Sequence, residues 1–202
     1  MRTPVAALVL VAALAVPVLA QKQQRQAVGP IVVENFSTLT VTKDTISFSG
    51  PKVHIFTKDG VFDAEAPEVV VTYAAAKEIA TPTSVQTIRL SGGVSLYHNP
   101  DPKAKEDEQR WTRAAAQKVD IDWAERKLAV LTGGVVITSR DPTKFQGEAK
   151  MTGDRASISL KRESELKPGE ARIRVESQPE KSRIEFTPLP PKQASEQGKS
   201  AH

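Results

Sequence analysis

The sequence predicts an all-β protein in which many short antiparallel strands form a sandwich. Three observations predict it. Apolar and polar residues alternate at period two in segment after segment, which gives each strand one apolar face and one polar face. Turn-forming Gly, Pro, Asn and Asp punctuate these segments at short intervals, a spacing typical of hairpins rather than of strands alternating with helices. The same strand–glycine–strand unit recurs about every 40 residues.

The elements follow in order. Arg2 and the apolar run Val5 to Val16, broken by Pro17 and followed by Val18-Leu19-Ala20, read as a secretory signal over residues 1–20, with cleavage expected after Ala20. The rival is a retained anchor, but a spanning helix needs about 20 apolar residues and this run is shorter. Residues 21–30 are largely polar and are expected to be a flexible segment. The β domain is expected over 31–186. Leu39-Thr40-Val41-Thr42, Val53 to Thr57, Thr87 to Ser91, Val119 to Trp123, Ala156 to Lys161, Ala171 to Glu176 and Arg183 to Phe186 follow the alternation, and Glu68 to Tyr73 adds a β-branched run. The alanine-rich stretches Tyr73 to Ala80 and Arg110 to Lys118 admit a helical turn, but strand or loop is favoured. Asn99 to Arg110, charged and Pro-containing, reads as an exposed loop. Residues 187–202, with Pro188, Pro190 and Pro191, read as a disordered tail.

The repeat is carried by Ser49-Gly50-Pro51-Lys52-Val53, Ser91-Gly92-Gly93-Val94 and Thr132-Gly133-Gly134-Val135. A strand precedes each glycine and another follows it. Glycine inside a strand pattern marks a bulge or sharp bend. After each pair of strands comes an alanine-bearing stretch: Phe62 to Ala66, Arg113 to Ala116 and Gln146 to Ala149.

Composition narrows the function classes. The net charge of +4, from 28 basic and 24 acidic residues, is too slight and too evenly spread to imply nucleic acid. With no cysteine, thiol nucleophiles, thiolate metal sites and disulfides are excluded. Neither His54 nor His98 has a histidine or carboxylate at ligand spacing along the chain, so no metal site is expected. Asp120 and Asp122 share a strand face and read as its solvated side rather than as an acid–base pair. The Gly-Gly pairs lack the Lys-Ser/Thr of a phosphate loop. Trp111 and Trp123 are too few for a stacking platform; Trp111 beside Arg110 and Arg113 reads as partly exposed packing, with a head-group contact as the alternative. No catalytic residue and no cofactor is expected.

Leu90-Ser91-Gly92-Gly93-Val94-Ser95-Leu96 and Leu131-Thr132-Gly133-Gly134-Val135-Val136-Ile137 resemble the bend of the OstA-like, LptA-type family of lipopolysaccharide-transport proteins. Ala114 to Ile121 resembles that family's alanine-leading strand, and Gln146 to Lys150 with Ile158 to Leu160 resembles its glycine–acidic–alanine strand. The sequence departs from the family where Gly93 and Gly134 replace its usual asparagine, and where Pro51 stands in the first repeat. The resemblance covers residues 31–186. It implies a twisted antiparallel β-jellyroll that holds acyl chains between its sheets, pairs edge strands with other jellyroll components or with copies of itself head to tail, and works in the periplasm.

From alternation, the residues that would line such a groove are Val53, Ile55, Val69, Val71, Ile88, Leu90, Val94, Leu96, Ile121, Val135, Ile137, Ile158 and Leu160. Taken singly, each reads first as plain core. The edge strands that would pair with partners are Ile31 to Val41 and Arg183 to Phe186, the latter equally capped by Pro188 and the tail. The expected function is lipid carriage or bridging, with lipopolysaccharide or a related multi-acyl lipid as partner. The alternatives are a scaffold that pairs through sheet edges without cargo, and a membrane-anchored component of a lipid-export complex.

Overall fold

The structure is a computed structural model and describes residues 24–74, 85–177 and 183–188. Its strands are β1 (Arg25–Val28), β2 (Ile31–Glu34), β3 (Thr38–Val41), β4 (Thr45–Thr57), β5 (Phe62–Tyr73), β6 (Val85–His98), β7 (Trp111–Asp122), β8 (Leu128–Arg140), β9 (Phe145–Ser159), β10 (Ile173–Glu176) and β11 (Arg183–Pro188). A single turn of 3-10 helix covers Glu163–Glu165. All pairings are antiparallel and form one open sheet, β1-β2-β4-β5-β6-β7-β8-β9-β10, with β3 also on β4 and β11 also on β9.

The five long hairpin pairings each lose register near the strand midpoints, between Ser49 and Val53, Glu65 and Glu68, Ser91 and Val94, Ala115 and Lys118, and Thr132 and Val135. The bulges therefore lie in a line across the sheet. They divide it into two halves that fold face to face. Sheet 1 holds β3, the first halves of β4, β6 and β8, the second halves of β5, β7 and β9, and β10. Sheet 2 holds β1, β2, the complementary halves and β11.

Glycine is needed on this line for two reasons. Gly92 and Gly133 have φ of +92° and +83°, where a Cβ is strained. A Cβ on Gly92 would also lie 3.0 Å from Pro67, and one on Gly133 2.8 Å from Gln117. The neighbouring strand occupies the space that a side chain would need.

The inward residues of both halves form one continuous apolar core from Val28 to Leu160. In sheet 2 its rows alternate in size. One row runs Ile55, Ala64, Leu96, Ala114, Ile137 and Met151 across neighbouring strands. Ala64 and Ala114, from the first two alanine-bearing stretches of the sequence, are thus the small members of that row, and with Ala66 and Ala116 they leave furrows along β5 and β7. Side chains of sheet 1, such as Val69, Ile88, Leu90 and Ile121, cover them in the closed sandwich.

Several boundaries differ from expectation. Pairing begins at Arg25, inside the segment expected to be flexible, because Val28 is buried and pulls β1 onto β2. Ile31–Glu34 is no edge, since β1 covers one side and β4 the other. Thr187 and Pro188, assigned to the tail, pair with Gln146 and Phe145; proline is tolerated there because β11 is an edge. Arg110 to Lys118 is strand from Trp111 onward. Residues 1–20, the alanines at 75–80 and 189–202 lie outside the described residues, so the leader and most of the tail do too.

Candidate functional site

All thirteen sequence-selected aliphatic residues point inward and are at most 5% exposed. Val69, Val71, Ile88, Leu90, Ile121 and Ile158 belong to sheet 1. Val53, Ile55, Val94, Leu96, Val135 and Ile137 face them from sheet 2. Leu160 follows the end of β9. A water-sized void beside these side chains would leave part of their surface accessible, and so little is accessible that the interior is closed. Phe48 and Phe62, which are not among the thirteen, are buried in the same core.

The mouth of the sandwich lies opposite the line of bends, where strand ends of the two sheets meet. Phe62 opens β5 in sheet 2 and packs edge-on against Trp123, just past β7 in sheet 1, with ring centroids 5.6 Å apart. The segment 160–172 crosses this mouth. Its two ends leave from one place, the Ser159 N–H donating to the Arg172 carbonyl at 2.8 Å. Between them it is pinned to three separate elements. Arg162 pairs with Asp59 of the β4–β5 turn, Glu163 with Arg110 ahead of β7, and Glu165 with Lys127 of the β7–β8 turn. Arg172 adds an internal pair with Glu163 and donates to the Lys161 carbonyl.

Burial would raise the carboxyl groups of Asp59 and Glu163, but bonds outweigh it. Thr57, the Val61 N–H and Arg162 hold Asp59 below its ordinary value, and Arg172 and Arg110 hold Glu163 below its own. Glu165 is lowered by the Lys127 ammonium and the Arg162 N–H.

Beneath this segment sits His98, completely buried at the end of β6. Among the described residues neither ring nitrogen has a well-formed hydrogen bond, and the Ser159 hydroxyl has none. Burial first, and the nearby Arg172 charge second, push the His98 pKa down to about 4, against a weaker raising effect of the Leu160 main chain. The imidazole is therefore neutral at physiological pH.

His54 is the opposite case. It lies on the outer face of sheet 2, and its two ring nitrogens lie 3.0 Å from Glu34 and 2.9 Å from Asp63. No carboxylate stands at ligand spacing from His54 along the chain, but antiparallel pairing of β2 and β5 on either side of β4 brings two to it. Burial lowers its pKa, but the bonds to Asp63 and Glu34 outweigh this and raise it.

The residues weighed for catalysis have structural partners. Asp120 receives Arg89 and Lys118, and Asp122 accepts the Glu125 and Arg126 N–H groups in the turn after β7. Gly92-Gly93 and Gly133-Gly134 make bends. The Arg113 guanidinium lies over Trp111, 4.8 Å from the ring centroid, and also faces Tyr97. Among the described residues no group of three or more potential ligands could hold a metal ion. No described helix is long and apolar enough to cross a membrane.

No family model matches the chain, and no curated protein matches its sequence. Among solved structures the chain is similar to LptH, the LptA-homologous periplasmic component of the lipopolysaccharide transport device of Pseudomonas aeruginosa. The similarity has a TM-score of 0.55 at 12% identity and covers 80% of this chain and 96% of that one. The fold is the LptA-like β-jellyroll, an open antiparallel sheet that does not close into a barrel.

Proposed function

We propose that this protein is a non-enzymatic periplasmic carrier that holds a multi-acyl lipid, lipopolysaccharide or a close relative, between the two halves of its folded sheet and passes it toward the outer membrane. One observation supports the reading above the rest. The LptA-like fold encloses an aliphatic interior whose two faces are continuous along a line of bulges and glycines, so the faces can part there without breaking the strands. A lipid entering there covers the apolar surface that parting exposes, at about 25 cal/mol per Å² on each side. The furrows at Ala64 and Ala114, set between larger neighbours such as Leu96, are places where acyl methylenes could lie once the faces part. The polar head remains in water, so no charged pocket is required.

Native mass spectrometry of the protein purified from a bacterial periplasm, with solvent extraction of whatever it carries, tests this. A co-purifying multi-acyl lipid, or uptake of added lipid A, is the expected result. A clean apo mass with no uptake overturns it.

A second reading is favoured by a specific observation. β3 and β11 are fully exposed edges carrying Val41, Ile184 and Phe186, each more than half exposed. They suit pairing with another sheet, which is the route to head-to-tail assembly or to a scaffold without cargo.

A further inference from the structure

We propose that residues 160–172 form a latched flap over the mouth of the sandwich, and that cargo enters and leaves where this flap lifts. The inference rests on the lipid-carrier reading and adds to it the place and control of access.

Four features of the fold support it. The thirteen-residue segment starts and ends at one point, where Ser159 and Arg172 bond to each other, so it can swing as a unit on β9 and β10. It is held down mainly by solvent-facing ion pairs to Asp59, Arg110 and Lys127 rather than by buried apolar surface, apart from Leu160 at its base. Contacts of that kind open and re-form easily. A hollow of about 90 Å³ adjoins it, walled by its Leu160, Arg162 and Glu165 and by Thr57, Val61 and Trp123 of the sandwich. Finally, polar groups that the protein satisfies poorly lie at its base, the His98 ring and the Ser159 hydroxyl. Water satisfies them when the flap lifts, so closure is opposed from beneath as well as held from above.

The lifted flap uncovers Phe62 and Trp123, the two rings that meet across the sheets. Those rings are the first apolar surface an arriving acyl chain would touch.

The chain has no cysteine, which makes the test clean. Asp59→Cys and Arg162→Cys are introduced together and joined by a short, reducible bis-methanethiosulfonate linker. Uptake of a fluorescent acyl probe, cis-parinaric acid, and of labelled lipid A is followed by stopped flow. The joined protein should take up both at least roughly tenfold more slowly than the same protein after reduction. Equal rates in the two states overturn the flap. If neither state takes up lipid, the carrier reading falls, and the flap is judged by hydrogen exchange of the native chain. The Leu160, Glu165, Leu166 and Glu170 amides should then exchange roughly a hundredfold faster than those of β6 to β8, and faster again in high salt. Exchange only by global unfolding overturns it.

Discussion

Replacing His98 by leucine should flatten the pH dependence of stability. In the folded chain the imidazole titrates at about 4, against 6.5 when solvated. Its folded pKa is depressed, so between those values the unfolded chain binds the extra proton, and stability falls as pH drops below 6.5. Integrating the two titrations, protonation of the unfolded chain costs the fold about 2 kcal/mol at pH 5 and only about 0.2 kcal/mol at pH 7. The native chain should therefore lose nearly 2 kcal/mol more than His98→Leu between these pH values. With a urea m-value of about 2 kcal/mol/M, that is a difference of about 1 M in the shift of the midpoint. Urea unfolding of both proteins at pH 7 and pH 5 reads it directly. Any packing cost of the leucine is the same at both pH values and cancels, as do His54 and the carboxylates present in both chains. Equal losses would refute the reasoning, because they would mean that His98 is protonated, or reaches water, in the folded state.

Three further outcomes are expected. His54→Gln should destabilise more at pH 6 than at pH 8: the raised pKa of His54 gives stability that is complete below its unfolded value and is lost as pH rises through its folded one, and denaturant titrations at the two pH values measure the gap. Gly133→Ala should cost about 1–2 kcal/mol more than Gly134→Ala in thermal melts, since both have positive φ but only the first Cβ meets a neighbour, Gln117 at 2.8 Å. Leu90→Ala, at a fully buried position in the central strand β6, should cost 2–5 kcal/mol with the fold retained, measurable by equilibrium unfolding.

Much of the fold was legible because period two is a local signal. Ile88-Arg89-Leu90 and Val119-Asp120-Ile121 each declare their faces without reference to the rest of the chain. The glycine bends were legible for the same reason, since only a residue without Cβ repeats at such positions. What a sequence does not display is who lies across the sheet. Glu34, His54 and Asp63 are far apart in the chain, and register alone assembles them. The burial of His98 was hidden likewise: a strand end before Asn99-Pro100 gives no sign that the imidazole faces inward between Phe62 and Thr112. The extra edge strand at Arg25–Val28 was missed because one buried valine among polar residues makes no alternation.

The straight line of bends has a consequence for size. Every hairpin crosses it the same way and meets only its two neighbours, so the cross-section of the sandwich does not depend on how many hairpins there are. Strands lie 4.7–4.9 Å apart, and inserting one 40-residue unit of two strands would therefore extend the molecule by about 10 Å along the fold line. The architecture behaves as a ruler graduated in hairpins: gene duplication or deletion can set its length while leaving its profile unchanged.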